Sequence, residues 1–107
     1  MEKKELDKSY KSNTIVYTIS WNPVKSARLK RIRGVSFEEI MGGELLDVCE
    51  NPSRSDQQIL IVDYQGYIWA VPCVIERQGI FLKTLYRSRK YQKIYRKRWA
   101  NEKIQTD

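Results

Sequence analysis

The chain has 107 residues and a formal net charge of +7; 41% of its residues are hydrophobic and none is histidine. This length suits one small domain, and the hydrophobic fraction excludes wholesale disorder. The missing imidazole excludes a Ser/His or Cys/His nucleophile, and the basic balance favours a polyanionic or acidic partner. There is no apolar stretch of ~20 residues and no signal-peptide core, so we expect a cytoplasmic protein without membrane contact.

The first segment of the chain is polar and carries both signs of charge. Residues 1–13 lack a sustained apolar face, which predicts a flexible charged leader, either disordered or loosely helical. A single domain is expected at residues 14–103. Residues 14–20, TIVYTIS, are β-branched and aromatic and predict its first strand.

A helix is predicted to follow this strand. Asn22-Pro23 marks its start, because Asn caps well and Pro fits the first helical position, where its missing N–H needs no partner. Gly34 marks its end. The expected apolar stripe is Val24, Ala27 and Ile32, and the remaining faces are strongly cationic.

A second short helix and four strands fill the middle of the chain. Ser36 and Glu39 have capping-box spacing. Residues 59–64 are a near-continuous apolar run, as in a central strand buried on both faces. Pro72 indicates a bulge, an edge position or an early strand end. The inner face of the helix is expected at Phe37, Ile40 and Met41, and the strands at residues 45–49, 59–64, 67–74 and 80–86, the last three forming an antiparallel meander with glycine turns.

Ser88 is expected to cap a final, basic helix. This helix carries a stripe of mainly aromatic residues on one face. Packing against the core is the simpler interpretation of the stripe, and a platform for stacking bases is the alternative. The predicted order is β-α-α-β-β-β-β-α, an α+β domain with a mostly antiparallel sheet and a C-terminal basic helix. The stripe consists of Tyr91, Ile94, Tyr95 and Trp99.

The most basic part of the chain is residues 83–98, KTLYRSRKYQKIYRKR, which contain no acid. Cations neutralise phosphates and release counterions, while the interleaved Tyr86, Tyr91 and Tyr95 offer ring faces to unpaired bases. The first helix adds a second cationic element. Together they indicate nucleic-acid binding, although a solvated basic surface has the same composition.

Other kinds of site have little support in the sequence. The glycine pair at residues 42–43 lacks the spacing and the lysine of a phosphate-binding loop. Cys49 and Cys73 are expected to be reduced, buried small hydrophobes, because two thiols without histidine make no zinc site. The scattered carboxylates, such as Glu38 and Glu39, do not form a metal-ligand pattern. We therefore predict neither a metal nor a cofactor.

Lysine, arginine and tyrosine are adequate residue types for cleaving RNA. The 2′-hydroxyl of RNA supplies the nucleophile, so a protein can act by aligning that oxygen and stabilising the extra negative charge. Arginine clamps a phosphate through two hydrogen bonds and lysine acts as a point charge. Clustered cations also lower the pKa of a neighbouring Tyr or Lys, which favours proton transfer.

Three segments resemble the BrnT toxins. Residues 21–25, WNPVK, and residues 33–39, RGVSFEE, resemble the family's opening signature, roughly W-D-x-x-K followed by H-G-V-S-F-x-E. Residues 88–90, SRK, resemble its S-A-R-K segment. The resemblance implies a fold similar to the RelE/ParE toxins and a ribonuclease that arrests translation. It also implies a cognate antitoxin, usually a ribbon-helix-helix protein, which carries the pair to its operator DNA.

The candidate site follows from the resemblance and the basic run together. Lys25 matches the lysine of the opening motif, and Arg89 and Lys90 match the closing motif. The chain departs from the pattern at Ile32-Arg33, where many members have Lys-His, and at Tyr95, where many have an acid. The predicted catalytic residues are Arg89, Lys25, Tyr95 and Lys90, and the predicted RNA-binding residues are Lys83, Arg87, Tyr91, Lys93 and Arg28.

Two alternatives to a ribonuclease stay open. The same basic surface suits a binding module without catalysis, which holds an acidic antitoxin or nucleic acid. A gyrase poison of the ParE kind is the narrower possibility. RNA integrity and DNA-damage signalling after expression separate the three functions.

Overall fold

The computed structural model describes the backbone of residues 4–12 and 15–105, and the side chains of residues 17–97. These residues form an α+β domain, as the sequence predicts. No helix within them is long and apolar enough to cross a membrane. The elements are β1 (Lys4–Ser12), β2 (Ile15–Trp21), α1 (Pro23–Arg33), α2 (Phe37–Ile40), β3 (Glu44–Glu50), β4 (Gln58–Tyr64), β5 (Tyr67–Glu76), β6 (Gly79–Leu82), β7 (Tyr86–Arg87) and α3 (Arg89–Gln105).

The strands form one mixed sheet in the order β1-β2-β6-β5-β4-β3, and the short β7 also pairs with β5. The predicted meander of β4, β5 and β6 is antiparallel, as expected. The sheet differs from a fully antiparallel one at β2, which pairs in parallel with β6. A parallel neighbour requires a crossover, and the chain from α1 to β5 supplies it.

The N-terminal segment departs from the predicted flexible leader, because Lys4–Ser12 is an edge strand paired antiparallel with β2. A strand at a sheet edge gains backbone hydrogen bonds from its neighbour without needing an apolar face. Its charge-rich sequence is therefore compatible with pairing, although it lacks the alternation by which strands are recognised. The rest of the predicted leader, residues 1–3 and 13, lies outside the described residues.

Helices cover both faces of the sheet. On the face covered by α1 and α2, the core contains Trp21, Leu29 and Phe37. On the face covered by α3, Ile61 and Tyr95 belong to a second core cluster. The central strand β4 supplies residues to both clusters, as its apolar run predicts. Cys73 is fully buried, and burial raises the pKa of its thiol to about 11, in agreement with a role as a small hydrophobe.

Helix α1 has the predicted ends but not the predicted apolar stripe. Asn22 accepts hydrogen bonds from the N–H groups of residues 24 and 25, and Gly34 adopts a left-handed conformation with φ of 86°. Val24 and Ile32, however, are 68% and 57% exposed, and Ala27 is exposed too. The buried side chains of α1 are Ser26 and Leu29.

A polar contact explains why Ser26 lies inside. Its hydroxyl donates to Glu38 Oε1 at 2.5 Å and accepts the Phe37 N–H at 2.9 Å. Trp21 Nε1 also donates to Glu38, at 3.4 Å. Ser26 thus satisfies an amide at the start of α2, and this fixes the rotation of α1 on the sheet. A pattern search that scores only apolar side chains misses this face.

The predicted strand at residues 80–86 is two strands, with a break at residues 83–85. Strand β6 pairs with the end of β5 from Cys73, and β7 pairs with Trp69 and Ala70. At the break, the Lys83 N–H donates to the Pro72 carbonyl at 2.8 Å. The N–H and C=O of one residue in an antiparallel pair point to the same side, so the N–H that Pro72 lacks would face this break. Pro72 can therefore stand inside the long strand β5, because its missing N–H has no strand partner at the break.

Candidate nucleic-acid interface

Three neighbouring depressions, of 350, 470 and 450 Å³, form a row on the surface. We call them, in that order, the upper, middle and lower depressions. The upper and middle depressions share Tyr86, and the middle and lower depressions share Arg89 and Lys90, so the row is continuous. Each is large enough for a group the size of a nucleotide. We call this surface the basic groove; its cations are Lys25, Arg54, Lys83, Arg87, Arg89, Lys90, Lys93 and Arg96.

The parallel pairing of β2 with β6 places the first cations of the groove together. Trp21 at the end of β2 is in register with Leu82 at the end of β6. The chain leaves both strands at the same end of the sheet, so Lys25 in α1 and Lys83 after β6 line the same depression. Arg54 reaches it from the loop between β3 and β4.

The N-terminus of α3 supplies the central cations. The Ser88 hydroxyl accepts the Tyr91 N–H at 3.1 Å, which confirms the predicted cap. Arg89 and Lys90 follow in the first turn, where no acid is present. The positive end of the helix dipole and two cationic side chains therefore lie in the same helical turn. They attract an anion, and without an anion they repel one another.

Two hydrogen bonds fix the start of α3 on the sheet. Gln92 Oε1 accepts the Ile68 N–H at 2.8 Å, and the Ser88 N–H donates to the Ile68 carbonyl at 3.0 Å. Both bonds join the helix to β5 just before the residues that pair with β7. The position of Arg89 is thus set by the backbone of the central sheet and not by a flexible loop.

The cations of the groove have no carboxylate partner among the described residues. The ion pair present among the described residues joins Lys30 Nζ to Glu39 Oε2 at 2.9 Å, and neither residue lines the groove. Arg89, Lys90, Lys93 and Arg96 are all exposed. Their positive charges are thus available to an approaching polyanion.

Seven of the nine predicted site residues line the groove, and two do not. Arg28 is exposed on α1 and lines none of the three depressions. Arg87 lines the middle depression, but its guanidinium carbon lies 5.1 Å from the ring centre of Tyr67 and 5.6 Å from that of Trp69. The residues brought together are Lys25, Lys83, Arg87, Arg89, Lys90, Tyr91 and Lys93.

Tyr95, the second predicted residue that does not line the groove, lies in the core. Its side chain is 5% exposed, and it packs in the cluster that includes Ile61 and Ile68. Its hydroxyl donates to Asp47 Oδ2 at 3.3 Å. It does not line the groove, so the packing interpretation of the aromatic stripe holds at this position. Ile94, expected on the same stripe, is 41% exposed, and the side chain of Trp99 lies outside the described residues.

Tyr91 lines the groove, but its acidity changes in the direction opposite to that expected for a cationic site. Its hydroxyl lies 3.4 Å from Cys49 Sγ. This hydrogen bond, followed by burial, raises the pKa of Tyr91 to about 12. Lys90 Nζ lies 5.3 Å from the ring centre without reversing the shift. Tyr91 therefore keeps its proton at neutral pH and can donate a hydrogen bond, but it is not a base.

Sequence reasoning missed Arg54 and the central position of Tyr86. Arg54 is a single cation in a loop, and nothing in its neighbours distinguishes it from a solvated side chain. The loop is shaped by Asn51, whose side-chain oxygen accepts the Ser53 N–H at 2.9 Å. Such Asx turns are recognisable in sequence, but the surface that they approach is not.

The described residues contain no group of three or more acidic or cysteine side chains that could hold a metal ion. Searches against family models, curated proteins and solved structures returned no match to this chain. The resemblance to the BrnT toxins stays a prediction that depends on the motif residues themselves.

Proposed function

We propose that this protein binds RNA along the basic groove and cleaves it, acting as the toxin of a type II toxin–antitoxin pair. The observation that carries the proposal is the continuity of the groove. Lys25 and Arg89, which are 64 positions apart in the sequence, line depressions that share Tyr86. Cations from α1, from the break after β6 and from α3 thus converge on one surface.

Charge stabilisation is the proposed source of catalysis. Arg89 and Lys90, at the N-terminus of α3, would bind the scissile phosphate and stabilise the negative charge that develops when the 2′-oxygen attacks phosphorus to form a 2′,3′-cyclic phosphate. The bond from phosphorus to the 5′-oxygen would break, with water accepting the 2′-hydroxyl proton and supplying a proton to the departing 5′-oxygen. Lys25, Lys83 and Lys93 would hold the strand on either side. Tyr91 would donate a hydrogen bond to a phosphate oxygen. Since Tyr95 is buried and Tyr91 has a raised pKa, the proposed mechanism assigns no tyrosine as a base.

The RelE/ParE-like architecture and the antitoxin belong to the same proposal. A helix pair before the central strands and a basic helix after them support the architecture. A groove without carboxylates suits an acidic segment of an antitoxin, which would compete with RNA for the same cations. The cytoplasm, where messenger RNA is found, is the proposed location.

The test compares wild type with Arg89→Ala in bacteria and with purified RNA. We expect Arg89→Ala to slow cleavage by about 10²–10³-fold, the usual cost of removing one group that stabilises a transition-state charge. Arg31→Ala is the matched control, because Arg31 is exposed on α1 and lines none of the depressions. Equal cleavage by the Arg89 and Arg31 variants would overturn the assigned site.

A binding module without catalysis is the second candidate. The burial of Tyr95 and the raised pKa of Tyr91 favour it, because these are the two tyrosines predicted to transfer a proton and RNA cleavage commonly uses proton transfer. RNA bound tightly by wild type and weakly by Arg89→Ala, yet intact after long incubation, would support this candidate. Degraded transcripts would support the ribonuclease.

A further inference from the structure

Tyr86 occupies the junction of the upper and middle depressions of the basic groove. It belongs to β7, where it pairs with Ala70 of β5. Its ring packs against the core on the α3 face, yet the side chain is only half-buried. An aromatic ring anchored on a sheet and partly open to a groove is a preformed surface for a flat ligand.

The surroundings of Tyr86 define the chemistry of that ligand. Lys25, Arg54 and Lys83 lie in the depression on one side, and Arg89 and Lys90 in the depression on the other. A ligand that crosses Tyr86 therefore meets positive charge before and after the ring. A nucleic-acid strand has this pattern, because phosphates alternate along it with bases that have π faces.

The other aromatic residues near α3 are less suited to this role. Tyr95 is buried, and the Tyr91 hydroxyl contacts Cys49. Tyr67, in the lower depression, is covered by the Arg87 guanidinium at 5.1 Å. The cross-strand partner of Tyr86 is the small Ala70, so β5 places no second ring over it.

We infer that Tyr86 is a base-stacking subsite that selects an unpaired strand over a duplex. The inference rests on the proposed RNA binding and names the substrate class of that same groove. Base pairs stacked in a duplex hide their faces, whereas the phosphates of a duplex and of a single strand are both accessible. The cations thus attract both forms, and Tyr86 adds affinity for the unpaired form alone.

The experiment measures binding at one salt concentration to three ligands: a roughly 10-nucleotide RNA strand, its duplex, and a strand of the same length with abasic sugars. We expect Tyr86→Leu to weaken binding to the single strand by about 5- to 150-fold and to leave duplex binding unchanged. Tyr86→Phe keeps the ring and should bind like wild type.

Tyr64→Leu is the matched control. Tyr64 is also half-buried at the end of a strand, but it packs on the opposite face of the sheet and lines none of the three depressions. Wild-type protein gives a second measurement that is independent of folding: it should bind the abasic strand more weakly than the RNA strand, by the same factor as the leucine substitution.

The outcomes separate this inference from the proposed function. Equal losses for Tyr86→Leu on single strand and duplex, or no loss on either, overturn the stacking subsite even if Arg89→Ala abolishes cleavage. Selective loss on the single strand supports the subsite even if no RNA is cleaved. Failure of the wild type to bind any of the three ligands overturns both.

Discussion

The N-termini of α2 and α3 are built on the same cap but carry opposite charges. Each follows a serine whose hydroxyl accepts the N–H of the residue three positions on, at 3.1 Å in both cases. In α2 the first turn carries Glu38 and Glu39, whereas in α3 it carries Arg89 and Lys90. The cap satisfies the backbone equally in both helices, so the difference lies in electrostatics.

This comparison separates a structural helix start from one suited to binding. Carboxylates complement the positive end of the dipole of α2, and Glu39 also accepts the Ser36 N–H at 3.0 Å and pairs with Lys30. The cations of α3 oppose its dipole. An arrangement that works against the isolated fold is expected where an anion is to be bound, because the anion reverses the sign of the interaction.

The largest expected effect is on function and comes from giving α3 the charges of α2. We expect the double variant Arg89→Glu/Lys90→Glu to reduce RNA binding and cleavage by at least about 100-fold. The control, Arg31→Glu/Arg33→Glu, makes the same change in net charge on exposed residues of α1 outside the groove. If both variants lose affinity equally, net charge rather than the α3 site governs binding.

The two caps provide the next test. Replacing either serine by alanine should lower the free energy of unfolding by about 0.5–2 kcal/mol, because one helical N–H loses its acceptor. Denaturant unfolding measures both losses. Only Ser88→Ala should also weaken RNA binding, since Ser88 sets the position of Arg89. A comparable loss of affinity in Ser36→Ala would show that binding falls because the fold is less stable and not because Arg89 has moved.

A smaller effect, with an unusual sign, is expected for Arg89→Glu alone. A carboxylate at this position complements the helix dipole, so the free energy of unfolding of the variant should be about 0.3–1 kcal/mol higher than that of wild type at low ionic strength. The same variant should bind RNA less well. Lys97→Glu, an exposed substitution on the same helix beyond its first turn, should give little change in stability. A destabilised Arg89→Glu would contradict the dipole argument.

The features predicted correctly from sequence are those decided by near neighbours. The caps at Asn22, Ser36 and Ser88 each satisfy amides within three residues, and Gly34 adopts a positive φ that few other residues accept. The central strand β4 is also recognisable, because burial on both faces requires a continuous apolar run.

The features that sequence reasoning missed depend on distant partners. Ser26 is buried because Glu38 lies opposite, and β1 exists because β2 has a free edge. Lys25 and Lys83 share a depression because β2 is parallel to β6. Helical spacing puts Tyr91 and Tyr95 on one stripe and cannot tell that Tyr91 lines the groove while Tyr95 is buried. The break after β6 decides where Tyr86 lies.

The smallest expected effect is on the pH dependence of stability, through Glu39 in the first turn of α2. The hydrogen bond from the Ser36 backbone, with a further one from Lys30, lowers the pKa of Glu39 below its usual value of 4.5. The unfolded chain therefore binds this proton at a higher pH than the folded chain does. The stabilisation from Glu39 is present above the unfolded pKa and is lost as pH falls through the folded one. Melting temperatures of wild type and Glu39→Gln, measured across acidic pH, should converge as pH decreases.

The N-terminus of α3 is the control, because it has no carboxylate in its first turn. Arg89→Ala should therefore shift the melting temperature equally at every acidic pH. A shift that disappears as Glu39 becomes protonated would mean that the two helix N-termini are coupled.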